Sequence, residues 1–111
     1  MINIKPLKAF TDNYIWLLET NEEVSVVDPG DAKPVLDYLN KTNKNLRDIF
    51  ITHHHFDHTA GVPELENIIS GSIYGPKNSY ELINEKVTQG DTLSSLGIKF
   101  EIIEVPGLEP Q

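Results

Sequence analysis

The sequence predicts an α/β fold of the α+β kind, and three observations carry that expectation. Short apolar runs separated by turn residues fill the first third of the chain. At Asp31 the apolar spacing lengthens from strand-like to helical. Beyond it, strand-like runs return at Leu46, Ile73 and Ile98, each after a stretch of other character.

Ile2, Ile4 and Leu7 suggest an opening strand, and Thr11-Asp12-Asn13 a turn. Tyr14-Ile15-Trp16-Leu17-Leu18 is apolar throughout, as expected of a strand buried on both faces. Asn21-Glu22-Glu23 turns the chain into Val24-Ser25-Val26-Val27, which ends at Asp28-Pro29-Gly30. Three short strands with tight turns make an antiparallel meander. Asp31 is placed to cap a helix through Pro34, Val35, Leu36 and Leu39. Leu46 to Ile51 then reads as a strand running directly into a histidine-rich stretch. Val62, Leu65, Ile68 and Ile69 share one face of a second helix, with Pro63 tolerated in its first turn and Gly71 ending it. Ile73-Tyr74 is a short strand and Pro76 to Ile83 a brief helix. Thr88-Gln89-Gly90-Asp91 and Ser94-Ser95-Leu96-Gly97 are turns, and Ile98 to Val105 is a closing strand with partial alternation. No internal repeat, low-complexity tract or linker interrupts the chain, and 111 residues suit one domain with a modest core.

Composition excludes several function classes. An apolar fraction of 39% and a charged fraction of 23% are those of an ordinary folded protein. With 17 acidic against 9 basic residues the net charge is −8, which repels phosphate backbones and anionic membranes. Lys41, Lys44 and Arg47 make the nearest basic cluster and are read as a solvated surface near a helix C-terminus. No apolar run is long enough to span a bilayer, and Lys5, Pro6 and Lys8 break any signal-like start. Absence of cysteine removes disulfides and thiolate ligands and fits a cytoplasmic protein.

The chemistry is concentrated in Thr52-His53-His54-His55-Phe56-Asp57-His58. In an extended segment alternate side chains point the same way, so His53 and His55 converge while His54 points elsewhere. Asp57 and His58 add a carboxylate and an imidazole just beyond. The pattern suits two adjacent divalent ions, His53 and His55 on one and Asp57 and His58 on the other. Zinc, iron and manganese all accept such donors. A lone histidine is more often structural, but this many donors directly after a strand are not read that way. Two metals of this kind yield a nucleophilic water near neutral pH and stabilise a developing oxyanion, so no separate catalytic side chain is expected.

The pattern His-x-His-x-Asp-His resembles the signature of the metallo-β-lactamase superfamily. Asp28, in Val27-Asp28-Pro29-Gly30, resembles that superfamily's strand-end aspartate, which supports the metal loop from behind. Taken alone, Asp before Pro-Gly is ordinary turn chemistry. Pro6 to Trp16 looks like the start of bacterial glyoxalase II enzymes (hydroxyacylglutathione hydrolases), and His58 points away from the β-lactam-hydrolysing members. The resemblance covers about residues 1 to 105. It implies an αββα sandwich with a mixed sheet and helices on one face, two divalent metals with zinc foremost, and a glutathione thiolester as substrate. Hydrolysis of S-D-lactoylglutathione to D-lactate and glutathione is the activity implied.

Residues 1–111 correspond to the first half of such a domain. Where the family continues with Pro-Gly-His, this chain reads Pro106-Gly107-Leu108, and leucine cannot bind a metal. Four of the family's seven protein ligands are present, which predicts weak metal binding and weak or absent turnover. The later bridging aspartate, the last histidine and the C-terminal helices that hold glutathione are not among these residues. The strands would then lack cover on one face, favouring self-association through an exposed apolar patch. Other readings are a superfamily hydrolase for another thiolester, a lactone or a lactam, and a non-catalytic metal-binding remnant.

Overall fold

A computed structural model describes residues 3–9, 13–52, 59–76, 81–88 and 90–101. Strands β1 (Asn3–Ala9), β2 (Asn13–Glu19) and β3 (Glu23–Val27) form the expected antiparallel meander. Helix α1 (Ala32–Thr42) follows, with the Asp31 carboxylate accepting the Lys33 N–H at 3.1 Å as the predicted cap. Next come β4 (Asn45–Phe50), a short helix α2 (Val62–Glu66), β5 (Ile73–Pro76) and β6 (Glu85–Val87). The hairpin β7 (Thr92–Ser95) and β8 (Ile98–Glu101) closes the described chain. Among the described residues six strands make one mixed sheet in the order β1-β2-β3-β4-β5-β6, parallel from β3 onward.

Register assigns the two faces. Leu17 lies opposite Val26, Val26 opposite Ile49, and Ile49 opposite Ile73. These side chains pack with Val35 and Leu39 of α1 and Val62 and Leu65 of α2, so both helices cover one face and form the core there. The reverse face carries Trp16, Val27, Phe50 and Tyr74 in register. Its centre is covered by the β7–β8 hairpin, where Phe100 packs 6.1 Å from Phe50 and Phe50 stacks on Tyr74. Cover on that face therefore comes in part from within the chain, where none was expected. It does not reach β1 and β2, because Ile4 remains 64% and Trp16 45% exposed. Of the run expected to be buried on both sides, Ile15 and Leu17 are buried and Trp16 is not.

The hairpin is fastened by polar groups. Between Val24 and Val26 the pairing with β4 slips from Leu46 to Ile49, a bulge that places Asp48 on the opposite face from Leu46. There the buried Asp48 carboxylate accepts the Ser95 hydroxyl at 2.5 Å and the Ser72 N–H at 2.7 Å. Ser25 Oγ accepts the Asp48 N–H and lies 3.0 Å from Ser95 Oγ. Satisfied donors on all sides make this burial of a carboxylate tolerable.

Several local expectations change. The second helix stops at Glu66 rather than near Gly71, because Ser70 and Gly71 donate their N–H groups to Leu46 and Arg47 carbonyls and draw the chain towards β4. Ile68 is consequently exposed, while Ile69 packs against the core. Glu81 and Leu82 form a turn instead of the end of a helix, and residues 77–80 lie outside the described set. The predicted turn at Ser94–Gly97 narrows to Leu96-Gly97, both at positive φ (57° and 79°), with Ser94 and Ser95 in β7. Residues 102–105 of the predicted last strand, and Leu108, also lie outside the described residues.

Lys44 is not part of a solvated surface. Asn43 at φ 59° turns the chain back after α1, and the Lys44 ammonium donates to Glu19 Oε2 at 2.5 Å and to the Thr20 carbonyl. Tyr38 Oη donates to Glu19 Oε1 at 2.5 Å, and Lys5 Nζ lies 2.9 Å from the same oxygen. Burial alone would raise the Glu19 pKa, but the hydrogen bonds from Lys44, Tyr38 and Lys5 outweigh it and hold the carboxyl down to about 2 from an ordinary 4.5. A depressed pKa gives stability that is full above pH 4.5 and is lost as pH falls towards 2. Urea-unfolding midpoints measured across that window should fall in the wild type, by a free energy on the order of 3 kcal/mol. Glu19→Gln should be less stable at neutral pH and should lack this component; an equal acid-dependent loss in the variant would contradict the assignment.

Candidate metal centre

Parallel pairing sets the C-terminal ends of β3 and β4 side by side, with Val27 opposite Phe50. The next residue of β3, Asp28, donates its N–H to the Phe50 carbonyl at 2.8 Å and adopts φ 52°. That left-handed backbone is uncommon outside glycine, though Asp tolerates it better than most. It aims the carboxylate across at the continuation of β4. Asp28 Oδ1 accepts the Thr52 N–H at 2.7 Å, and Oδ2 accepts the Thr52 hydroxyl at 2.5 Å. Both oxygens of one carboxylate thus grip the residue immediately before His53.

The same turn holds the far side of the histidine stretch. Gly30 N–H donates to the Asp28 carbonyl at 2.8 Å, closing the turn, and Gly61 N–H donates to the Pro29 carbonyl at 2.9 Å. Thr59 and Gly61 are buried, and α2 starts at the fully buried Val62. Residues 28–30 therefore fix the chain just upstream and just downstream of residues 53–58.

Of the predicted site residues, Asp28 is described, and its carboxylate accepts from Thr52, the residue before His53. His53, His55, Asp57 and His58, and with them His54, lie outside the described residues. Among the described residues no group of three His, Cys, Asp or Glu side chains could hold a metal ion. The donor set between the two anchored flanks, three imidazoles and one carboxylate, fits divalent zinc, iron or manganese. Thr52 and Pro29 stood within the motifs read from sequence but were given no role, and Gly61 was not identified. Thr52 had a usable signal, a short hydroxyl directly before the first ligand-type histidine. Gly61 had none beyond its place three residues after His58. A groove of about 610 Å³ between β6 and β7 is lined by Glu85, Lys86 and Asp91 among others, a net negative lining unsuited to an anionic thiolester. Among the described residues no helix is long and apolar enough to cross a membrane.

Known proteins with this arrangement agree on its family. The chain is 48% identical to a hydroxyacylglutathione hydrolase of Pseudoalteromonas translucida and 46% identical to one of Methylobacillus flagellatus, in each case over 96% of its own length. It spans 43% and 44% of those relatives and matches their N-terminal part. Among solved structures, the B3 metallo-β-lactamase BLEG-1 superposes with a TM-score of 0.76 at 20% identity, over 96% of this chain and 62% of that one. The mixed sheet with helices on one face is thus the metallo-β-lactamase fold predicted above. Residues 10–109 match the metallo-β-lactamase superfamily, and the chain belongs to it.

Proposed function

We propose that residues 1–111 supply the metal-loop half of a hydroxyacylglutathione hydrolase–type enzyme, which cleaves S-D-lactoylglutathione to D-lactate and glutathione. The observation that carries this reading is the double hold of Asp28 on Thr52, directly before the ligand-type residues. Similarity to hydroxyacylglutathione hydrolases over 96% of the chain supports the substrate class. The superfamily is metal-dependent. In this reading His53 and His55 hold one divalent ion and Asp57 and His58 the other, zinc foremost. When bound, the ions supply Lewis acidity, which makes water a better nucleophile and favours negative charge on the thiolester oxygen. Asp28 fixes the start of the loop and places a negative charge behind it, which favours cation binding.

Only four donors come from these residues, two for each ion, so metal is held weakly by the 111-residue chain on its own. Metal analysis of dialysed protein should show the content falling in His53→Ala and Asp57→Ala and staying near wild type in His54→Ala. Asp28→Ala should lower metal affinity by about tenfold or more, as loss of a supporting hydrogen bond does elsewhere. Unchanged stoichiometry in both ligand variants would sink the assignment.

Hydrolysis of S-D-lactoylglutathione by the zinc-loaded chain alone should be feeble or undetectable, because incomplete ligation lowers both metal occupancy and Lewis acidity. Robust turnover in a thiolester-absorbance assay would refute this.

The exposure of Ile4 and Trp16 on β1 and β2 favours self-association of the isolated chain. Light scattering coupled to size exclusion should show concentration-dependent mass, reduced in Trp16→Lys. A strictly monomeric, cooperatively melting chain that binds no hydrophobic dye would overturn it.

A further inference from the structure

Gly61 occupies a place where no other residue fits, and the reason is space rather than backbone conformation, since its φ is −85°. A Cβ built there would lie 2.5 Å from the Pro29 carbonyl oxygen, 2.6 Å from the Ala32 nitrogen and 2.8 Å from the Asp31 carbonyl carbon. All three are backbone atoms, in the turn after Asp28 and at the first residue of α1, and cannot swing aside as a flexible side chain would. The close approach is what brings the Gly61 N–H to 2.9 Å from the Pro29 carbonyl. Pro29 is the direct neighbour of Asp28, whose carboxylate holds Thr52. A side chain at 61 must therefore push the 29–32 backbone away, and the displacement passes through one peptide unit to the group that holds the other flank of the loop.

We propose that Gly61, on one flank of residues 53–58, is a positioning residue for the turn at residues 28–30 and, through Asp28, for Thr52 on the other flank. Its missing side chain lets one turn, residues 28–30, clamp both flanks and set the separation between them. The proposal rests on the metal reading above only for its effect on metal binding. Its mechanical content concerns Thr52 and Gly61 themselves.

The test compares Gly61→Ala with Gly71→Ala in the full 111-residue chain. Gly71 is equally crowded, by the Asp48 carboxylate and the Arg47 carbonyl, but lies away from the clamp. Hydrogen exchange followed by mass spectrometry should show Gly61→Ala deprotecting the peptide that contains Thr52, nine positions upstream, more than peptides from β2 or α1. Gly71→Ala should lower protection without singling out Thr52. Zinc affinity should fall about tenfold or more in Gly61→Ala and change far less in Gly71→Ala. Wild-type protection at Thr52 in folded Gly61→Ala would overturn the proposal, whether or not the chain binds zinc. Absence of zinc binding by the wild type, with Thr52 still deprotected in the variant, would sink the metal reading and leave the clamp standing. If Gly61→Ala does not fold, an amide-to-ester replacement at residue 61 removes the N–H without adding volume. Thr52 protection must fall in that variant too, and its retention would equally overturn the proposal.

Discussion

The end of the sheet where β3 and β4 finish is organised by one carboxylate reaching sideways from the end of β3. Parallel strands make this possible, because β3 and β4 finish together and the residues after them leave from one edge. The conformation that aims Asp28 is costly, of order 1–2 kcal/mol for a left-handed residue that is not glycine. Two charge-assisted hydrogen bonds to Thr52, each roughly 1.5–3 kcal/mol, exceed that cost. The two bonds thus hold Asp28 in its left-handed conformation and fix Thr52 at the same time. This mutual hold gives a defined start to the segment that follows Thr52.

Two buried carboxylates hold the rest together, on opposite faces of the sheet and by different means. Glu19 is met by two ammonium groups and a phenol, and joins β1, β2, α1 and the turn after α1. Asp48 is met by a serine hydroxyl and a backbone N–H, and joins the β7–β8 hairpin and the start of β5 to the middle of β4. In each case the group bonded is remote in sequence, so the polar contacts specify which segments meet. The apolar core supplies most of the free energy but discriminates poorly between alternative neighbours.

The legible parts of the fold were those in which side-chain period and tertiary burial agree. In β3, Val24 and Val26 flank Ser25 and face the helices, and in α1 the buried Val35 and Leu39 recur at helical spacing behind a capping Asp31. The histidine-rich stretch stands out by residue type and Asp28 by resemblance, but residues 53–58 lie outside the described residues. Strands β6 and β7 were missed because Glu85-Lys86-Val87 and Thr92-Leu93-Ser94-Ser95 carry little apolar pattern and are defined by backbone pairing. The inward turn of Asp48 depends on a bulge, and a shift of one residue reverses which face a side chain meets. Lys44 looked like an ordinary helix-end cation, since nothing local announces that Glu19 waits 25 residues upstream. The second helix kept its periodic residues but lost its last turn to backbone bonds with β4.

Anchoring both flanks has an energetic consequence for whatever the loop binds. A free segment must surrender conformational entropy to bring its ends together, at roughly 1–2 kcal/mol for each residue fixed. Here the ends are already fixed, one by Asp28 on Thr52 and the other by Pro29 on Gly61, before any ligand arrives. The start of α1, capped by Asp31, also abuts Gly61, so the clamp is backed by a helix packed on the core. In the metal reading proposed above, a cation held by residues 53–58 meets a segment whose two flanks are already held. Preorganisation of this kind raises affinity by lowering the ordering cost rather than by adding contacts. A short donor set therefore gains most from it, and this explains why so small a stretch of chain devotes one turn and the starts of two helices to six residues.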